Sequence, residues 1–409
     1  WYDPAVSKKD TIHYDQFANP NNHTLKFRGR LEWKTGKRQK LVLIPTLNYY
    51  PSSSINRTDT TSLRWGESGY RWMPSGNDGW SRSFSQGLYA QYSYRFLRQG
   101  RSLLLVASVN NNDQTTDRDY YSNGSGKTSK VSPDKATIAY TYSRKQQESS
   151  TRTFRIQPTY RDKIGRHSTI NIAYRLQAQL RSRDLMSYTT GSDYVIDPAK
   201  LNSRSSSSFE GMFLYHQAGM GYRYGRNRNW FSVSAMYQNS QLSNHNMWTG
   251  ERTKRVYHTP VYNATLQWAF DSSNTLRVSA TSEVKAPSLW QMLDIYDVSN
   301  SQYISIGNPD LRPYTEHNYF ARYTNISQRY GTTFMIMAKA MLRPDYIGTS
   351  IHYSPETIEI DGKKYNPLQL SQPVNLDGYR SFEARTSIGF PLTFISSNLN
   401  ISLGATYSD

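Results

Sequence analysis

Residues 168–181 read STINIAYRLQAQLR, and apolar and polar side chains alternate along this stretch. One face carries Ile170, Ile172, Tyr174, Leu176, Ala178 and Leu180, and the other carries Asn171, Arg175, Gln177, Gln179 and Arg181. Alternation with period two is typical of a β-strand that has one apolar and one polar face. The stretch exceeds the usual length of about five or six residues for a soluble strand. It matches the roughly 9–11 residues that a tilted strand needs to cross a bilayer.

The same alternation recurs along the chain, in residues 84–96, 154–160, 262–270, 276–280 and 399–407. Strands of a soluble sandwich also alternate, but they are shorter, with turns every 8–12 residues or so. The repeated long segments therefore predict an all-β protein, an antiparallel transmembrane β-barrel. Counting the paired segments gives about 14 strands in this chain.

Short and long connections between these segments also alternate. The short turns lie at 35–38, 98–101, 162–166, 225–229, 271–274, 327–331 and around Ile395. The long polar stretches lie at 51–83, 110–134, 182–209, 239–258, 285–315 and 343–380. A transmembrane barrel has short turns on its periplasmic side and longer loops outside. The sequence therefore predicts a barrel in the bacterial outer membrane, with six long external loops.

Charge and composition narrow the class further. The formal net charge is +18, many basic residues lie at the short turns, and cysteine is absent. Anionic headgroups attract basic segments at a membrane surface, so outer-membrane lipid is the expected partner. We expect no nucleic-acid partner, because no nucleic-acid-binding module or continuous basic helix is present. Arg155, Arg175 and Arg277 alternate into the lumen, where they either favour anionic solutes or pair with Asp or Glu from a neighbouring strand or a plug.

Sequence patterns of catalysis and metal binding are weak. GSGKTS at 124–129 resembles the end of a phosphate-binding loop, but Tyr121 occupies the position of the first glycine. No GxSxG elbow and no HExxH spacing occurs, and the histidines are scattered. We therefore predict no catalytic residues, no metal site and no cofactor, although a triad at the lumen mouth stays an open alternative.

Aromatic and arginine side chains in the predicted outer loops are the candidates for cargo binding. Rings and guanidinium groups offer stacking and anion contacts. The substrate-binding candidates are Arg64, Trp65, Tyr70, Arg71, Trp72, Trp80, Trp248, Trp290, Tyr296 and Tyr303. The alternative is that these rings only pack the loops together. The set does not discriminate a siderophore from a peptide or a sugar.

Residues 285–316 carry the most specific motif of the chain. KAPSLWQMLDIYD is followed by SIGNPDLRPYTE, and together they resemble the Arg-x-Pro … Gly-Asn-Pro-Asp-Leu-x-Pro-Glu segment of TonB-dependent receptors. The motif residues are Gly307, Asn308, Pro309, Asp310, Leu311, Arg312 and Pro313. Lys285 and Tyr314 stand where that family usually has Arg and Glu, respectively. The chain is similar overall to the Bacteroidota-type outer-membrane β-barrel family.

The motif is interpreted as an architectural loop-to-strand entry rather than a substrate site. We expect Gly307 to supply an unusual backbone angle and Asp310 to cap nearby amides. Asn308 is restricted by the proline that follows it, which favours an extended conformation. The later segment 375–391 resembles the Gly-x-Glu strand entry of the same family, with looser spacing.

The resemblance implies a 22-stranded barrel with an amino-terminal plug, which the TonB protein energises from the inner membrane. We interpret residues 1–409 as one barrel segment, with the plug and the final strands expected outside this chain. The implied function is TonB-dependent uptake of a scarce solute, and no enzyme activity is expected. A surface lipoprotein or other envelope subunits are further expected partners. The alternatives are a passive outer-membrane pore and a non-transporting barrel that acts as a scaffold.

Overall fold

The computed structural model describes residues 11–63, 70–123, 140–288, 290–298, 303–353, 357–360, 363–365, 367 and 369–409. The first half of the chain forms the strands β1 (Thr11–Asn22), β2 (Leu25–Arg28), β3 (Leu31–Thr35), β4 (Gln39–Leu63), β5 (Tyr70–Arg95), β6 (Ser102–Asn123), β7 (Tyr140–Lys163), β8 (Ser168–Thr190) and β9 (Ser207–Arg226). The middle forms β10 (Asn229–Asn246), β11 (Arg252–Ala269), β12 (Asn274–Lys285), β13 (Tyr296–Asp297), β14 (Tyr303–Ile306), β15 (Tyr314–Ser327) and β16 (Thr332–Arg343). The last part forms β17 (Ile347–Tyr353), β18 (Ile358–Ile360), β19 (Lys363–Tyr365), β20 (Gln369–Asn375), β21 (Tyr379–Leu392) and β22 (Ser397–Ser408).

In the residues that the structure describes, helix is confined to 3₁₀ turns of three residues, at Pro198–Lys200, Ser203–Ser205, Trp290–Met292 and Thr393–Ile395. None of the helices in the described ranges is long and apolar enough to cross a membrane. The described fold is therefore built from strands.

One antiparallel sheet forms the wall of the molecule. Its strands follow the order β1-β4-β5-β6-β7-β8-β9-β10-β11-β12-β15-β16-β21-β22, and β2 and β3 also pair with β4. β1, β2 and β3 pair with successive parts of β4, so together they occupy the place of one broken strand. The order contains 14 strands, which confirms the number predicted from the sequence. All seven predicted short turns join neighbouring strands of this wall.

The prediction of six long external loops is wrong in part. β4 and β5 stay paired from Gln39↔Tyr94 to Leu63↔Tyr70, so most of the stretch 51–83 is strand. β6 likewise extends to Asn123, and only residues 247–251 separate β10 from β11. Beyond the membrane both faces of a strand meet water, so the polar sequence lacks apolar alternation while the backbone ladder continues.

Side chains on the two faces of the wall differ in character. The inner face is the face that contacts the segment between β12 and β15, through Arg181 and Arg183 of β8. The outer face carries the apolar side chains of the alternating pattern, such as Ile172, which is 57% exposed. Exposed apolar side chains in bands are expected where a barrel contacts lipid tails. The period-two prediction for residues 168–181 is therefore confirmed.

The segments that follow β12 and β16 fold back against the inner face. They form a small inner sheet of the strands β13, β14, β20 and β17, in which β14 and β20 run parallel. The inner sheet and the wall share an apolar cluster of Phe213, Leu242, Met292, Leu311 and Ile347. Phe213 and Leu242 belong to wall strands, so this cluster fixes the inner segments to the wall.

Candidate functional site

A cavity of about 540 Å³ lies between the inner face of the wall and the inner segments. The side chains with polar or aromatic groups that distinguish it are Arg181, Arg183, Trp290, Tyr314, Arg343 and Tyr346. β8 supplies the first two because residues two apart on a strand share a face. Cavities of this size with convergent polar groups are typical of small-molecule sites.

Hydrogen bonds to uncharged partners hold the two β8 guanidinium groups. Arg181 Nη1 donates to the carbonyl oxygen of Pro287 at 2.9 Å, and its Nη2 donates to Gln179 Oε1 at 2.6 Å. Arg183 Nη2 donates to Gln147 Oε1 at 2.6 Å. The guanidinium carbon of Arg183 also lies 4.5 Å from the ring centroid of Trp290, a cation–π distance. Both charges are thus positioned without being neutralised.

No carboxylate of the described residues lies within 4.0 Å of Arg181 or Arg183. Asp297, whose charge acts on Arg183, is held by Lys145 Nζ at 2.8 Å. Arg183 Nε is buried and has no hydrogen-bond partner in the described part of the chain. Removing a charge from water costs free energy unless an opposite charge lies beside it. The guanidinium groups of Arg181 and Arg183 therefore favour an anionic group in the cavity. A guanidinium group matches carboxylate and phosphate oxygens well.

Arg343 has a different role on the opposite side of the cavity. Its Nε donates to Glu316 Oε2 at 2.7 Å, and its guanidinium carbon lies 5.5 Å from the ring centroid of Tyr346 and 5.2 Å from that of Tyr379. Glu316 therefore neutralises Arg343. We interpret this arrangement as a support for the rings of the cavity wall.

The lumen arginines predicted from alternation are not ion-paired. Arg155 Nη2 and Arg175 Nε both donate to Gln157 Oε1, at 2.6 and 3.0 Å. Neither of them, nor Arg277, forms an ion pair with a carboxylate of the described chain. Carboxylates of the described neighbouring strands therefore do not neutralise these arginines, which agrees with a cationic inner wall in this chain.

Of the predicted loop candidates, Trp290 lines the cavity. Arg64 and Trp65 lie outside the described residues, and Tyr70, Arg71 and Trp72 belong to strand β5 rather than to a loop. Trp80 also lies in β5, and its 43% exposed side chain shares the outer face with Leu88. The prediction that residues 70–80 lie in a loop is therefore wrong. These residues continue a strand beyond the membrane, where both of its faces meet water.

The remaining candidates lie in two different places. Trp248 lies exposed in the turn between β10 and β11, while Tyr296 and Tyr303 belong to β13 and β14 of the inner sheet. The sequence reasoning did not select Arg181, Arg183 or Arg343. A signal for the first two was present, because Arg181 ends the polar face of the alternating stretch and Arg183 continues it.

The GNPDLRP motif lies between β14 and β15, and two details of its structure differ from the expectation. Gly307 does not have a positive φ; instead, a Cβ there would lie 2.0 Å from the carbonyl oxygen of Leu293. Close backbone approach, rather than an unusual angle, therefore requires glycine. No amide of the described residues donates to the Asp310 carboxylate, which instead accepts a 2.6 Å bond from Arg255 Nη2.

Asparagine side chains fix the rest of the motif. Asn308 Nδ2 donates to the Pro373 carbonyl oxygen at 3.1 Å, and Asn308 Oδ1 accepts from the Asp310 amide at 2.9 Å. Asn375 Oδ1 accepts from the Arg312 amide at 2.9 Å. Leu311 is 1% exposed in the apolar cluster. The motif thus connects the cavity wall to the inner sheet.

Metal chemistry has no candidate centre among the residues that the structure describes. No group of three or more His, Cys, Asp or Glu side chains in those ranges could hold a metal ion.

Comparison with solved structures shows the class of fold. The chain is similar to the copper transporter OprC, with a TM-score of 0.52 at 11% identity, over 97% of this chain and 62% of that protein. It is also similar to the ferric-catecholate import receptor Fiu from K12 E. coli in its closed form, with a TM-score of 0.52 at 7% identity, over 98% of this chain and 65% of that receptor. The chain therefore spans less than two thirds of the length of both proteins.

Sequence comparison places the chain in a family. No curated protein sequence matches it. The family model described as "Outer membrane protein beta-barrel family" matches residues 94–409, which is well over half of the chain. This match and the barrel-type wall place the protein in the bacterial outer membrane. The chain belongs to the outer membrane protein β-barrel family.

Proposed function

We propose that this chain is the wall of a TonB-dependent outer-membrane receptor that takes up a scarce, anionic solute. The observation that carries the proposal is the pair of guanidinium groups, Arg181 and Arg183, which face the cavity without a carboxylate among the described residues within 4.0 Å. Both residues lie in the half of β8 remote from its short turn, which is the external side of a barrel. An external solute would meet them before Arg175 and Arg155.

Capture at this cavity would use charge and rings together. The guanidinium groups would bind carboxylate or phosphate oxygens in two-pronged geometry, and Trp290 would keep the side chain of Arg183 in place. The basic inner wall that continues through Arg175 and Arg155 would favour passage of the same charge class. A plug domain and the TonB protein complete the proposed machinery, with TonB moving the plug once the solute is bound.

A passive pore is the second candidate, and the basic inner wall favours it as well. Diffusion through such a lumen would select anions by charge without energy input. The inner sheet argues for the receptor, because the apolar cluster of Phe213, Met292 and Leu311 fixes it inside the wall. Neither candidate involves a chemical reaction, and we propose no enzyme activity.

Binding of the TonB carboxy-terminal domain to the full-length protein in detergent separates these functions. The binding is measured with and without outer-membrane extract as the source of solute. A receptor predicts that the extract strengthens TonB binding. A folded barrel that does not bind TonB would contradict the proposal. Ion conductance of that barrel in planar bilayers would then support the pore, and a non-conducting barrel that co-purifies with envelope subunits would support the scaffold.

A further inference from the structure

A second pocket, of about 440 Å³, lies on the wall beside the first short turns. Three of the described residues that line it are basic, Arg28, Arg30 and Lys40, and none of them is acidic. Val42, which is 3% exposed, and Ile44 supply apolar groups to the same pocket. The second pocket therefore combines cations with an apolar floor.

The strand register places the second pocket on the inner face of the wall. Tyr89 of the pocket pairs with Ser108, and Ser108 pairs with Arg155. Arg155 pairs with Gln177 of β8, and Gln177 shares a face with Arg181 because residues two apart on a strand point the same way. The second pocket therefore opens into the same lumen as the cavity that Arg181 and Arg183 line.

The two sites lie at different depths in the lumen. β4 begins at Gln39, directly after the short turn 35–38, and Lys40 is its next residue. Arg181 lies in the half of β8 remote from its short turn. Short turns are periplasmic in an outer-membrane barrel, so the second pocket is in the periplasmic half and the cavity in the external half. Four strand spacings, or roughly 19 Å, also separate β4 from β8, so the two sites are distinct.

The basic end groups of the second pocket converge. β2 and β3 pair with β4 in one continuing register, so Arg28, Arg30 and Glu32 share the inner face. Arg30 Nη2 lies 3.3 Å from Glu32 Oε2, and Lys40 Nζ lies 2.9 Å from Glu32 Oε1. End groups that contact the two oxygens of one carboxylate are close enough to contact one further anion together.

Positive charge exceeds negative charge at this place. One carboxylate, that of Glu32, pairs with three cations, Arg30, Lys34 and Lys40. Arg28 forms no ion pair within 4.0 Å with a carboxylate of the described residues. Exposed ion pairs contribute little free energy, so they are easily rearranged when another anion arrives. Guanidinium and ammonium groups in excess favour carboxylate or phosphate oxygens.

Uncharged polar groups complete the second pocket. The Tyr89 hydroxyl donates to Gln91 Oε1 at 2.9 Å, which orients the Gln91 amide. The side chains of Thr46 and Asn110 meet above Gly87, where a Cβ would overlap with Asn110 Oδ1. Hydroxyl and amide groups can donate to the oxygens of an anion that the cations leave free.

We propose that the second pocket is an anion site, which binds a carboxylate or phosphate group through Arg28, Arg30 and Lys40. Arg155 lies two strand spacings, or roughly 10 Å, from Tyr89 in the same row. Arg155 and Arg175 donate to the same Gln157 oxygen, so cations continue from the cavity towards the pocket. In the proposed uptake, the second pocket receives the solute after the cavity releases it. This role rests on the proposed function, whereas the binding of an anion does not.

Arginine modification by phenylglyoxal tests the proposal in the full-length protein in detergent. Peptide mass spectrometry measures the modification rates of Arg28 and Arg30, in inorganic phosphate and in chloride of equal ionic strength. We expect phosphate to slow both rates at least about threefold. Arg152, which is exposed on the outer face, is the reference and should react equally fast in both salts.

The same peptides separate this proposal from the proposed function. Equal rates for Arg28 and Arg30 in the two salts would overturn the second site, even if phosphate protects Arg181 and Arg183. Protection of Arg28 and Arg30 alone would support the second site and count against the cavity. Arginines that do not react in chloride would show that protein already covers the second pocket, and this result would also overturn the proposal.

A lysine variant keeps both reporter arginines in place. Lys40→Gln should reduce the phosphate protection of Arg28 and Arg30 at least about twofold, because one of the three cations is lost. Lys339→Gln is the matched control, since Lys339 also pairs with a glutamate of the wall, Glu383, at 2.9 Å. Melting temperatures show that both variants are folded. Full protection in Lys40→Gln, or an equal loss in both variants, would contradict the assignment.

Discussion

The guanidinium carbon of Arg183 lies 4.5 Å from the ring centroid of Trp290, and this contact joins the wall to the segment that enters the barrel. Trp290 begins a 3₁₀ turn after β12, and it packs against the buried pair Phe209 and Leu293. One aromatic side chain therefore both anchors the inner segment and positions a cation of the cavity.

Replacement of Trp290 tests this anchoring role. We expect Trp290→Ala to loosen the inner segment, because the change removes the cation–π contact and the packing on Leu293. Hydrogen exchange of residues 290–297 should become faster, while the amides of β8 keep their protection. Trp248→Ala is the matched control, because Trp248 is exposed in a turn. Unchanged exchange in residues 290–297 would show that Trp290 does not anchor the segment.

Leu311 of the GNPDLRP motif is expected to contribute substantially to stability. Its side chain is 1% exposed among Phe213, Met292 and Ile347, so Leu311→Ala leaves a cavity in a shared cluster. Substitutions of this kind cost about 2–5 kcal/mol in the free energy of unfolding. Urea unfolding in detergent measures the change. Leu97→Ala, at an 81% exposed position, is expected to change it little, and an equal effect of both would refute the packing role.

Gly307 tests the close backbone approach found in the motif. A methyl group at this position would lie 2.0 Å from the Leu293 carbonyl oxygen, so Gly307→Ala forces the segment apart. We expect about 1–3 kcal/mol of destabilisation, as is usual for overpacking. Limited proteolysis should also cut the segment 286–313 faster. In Gly404→Ala the nearest atom to the new methyl group is 3.6 Å away, and this control should behave like the parent protein.

The hydrogen bonds that Asp271 accepts predict that the turn between β11 and β12 is sensitive to acid. The hydrogen bond from Asn274 Nδ2, together with the amides of Ser273 and Asn274, lowers the pKa of Asp271 below its ordinary value of 3.8. A lowered pKa stabilises the fold above the unfolded-state pKa, and this contribution is lost as the pH falls through the folded-state value.

The expected outcome is that Asp271→Asn reduces the loss of stability between about pH 5 and about pH 2. Unfolding midpoints of parent and variant, measured across that range, provide the test. Asp197→Asn in the loop after β8 is a suitable control for the loss of one exposed acid. A parent and a variant with parallel pH profiles would contradict the role of Asp271.

Period-two alternation was sufficient to predict the wall from the sequence. Every second residue from Ile170 to Leu180 lies on one face, as predicted. The turns at 98–101 and 271–274 join neighbouring strands. The strand extensions beyond the membrane, such as 51–63, could not be predicted in this way, because a strand with water on both faces has no apolar period. Their pairing follows from continuation of the backbone ladder.

The cavity was less predictable than the wall. The stretch 64–80 was predicted to bind cargo because aromatic and arginine residues cluster there, yet the side chain of Trp80 lies on the outer face. Arg183 meets Trp290 only because the segment after β12 folds inward, and this long-range contact leaves no local pattern. The GNPDLRP resemblance predicted an architectural element but gave no sign of the close approach of Gly307 to Leu293.

Uptake of the solute isolated from outer-membrane extract, in cells that contain TonB, tests the central claim most directly. The double variant Arg181→Gln, Arg183→Gln is compared with Arg152→Gln, Lys254→Gln, which removes two exposed charges from the outer face of neighbouring strands. The account predicts that uptake falls at least about tenfold in the first variant, as expected for lost charge-assisted hydrogen bonds, and persists in the second. Equal uptake by the two variants, at equal barrel levels in the outer membrane, would contradict the account.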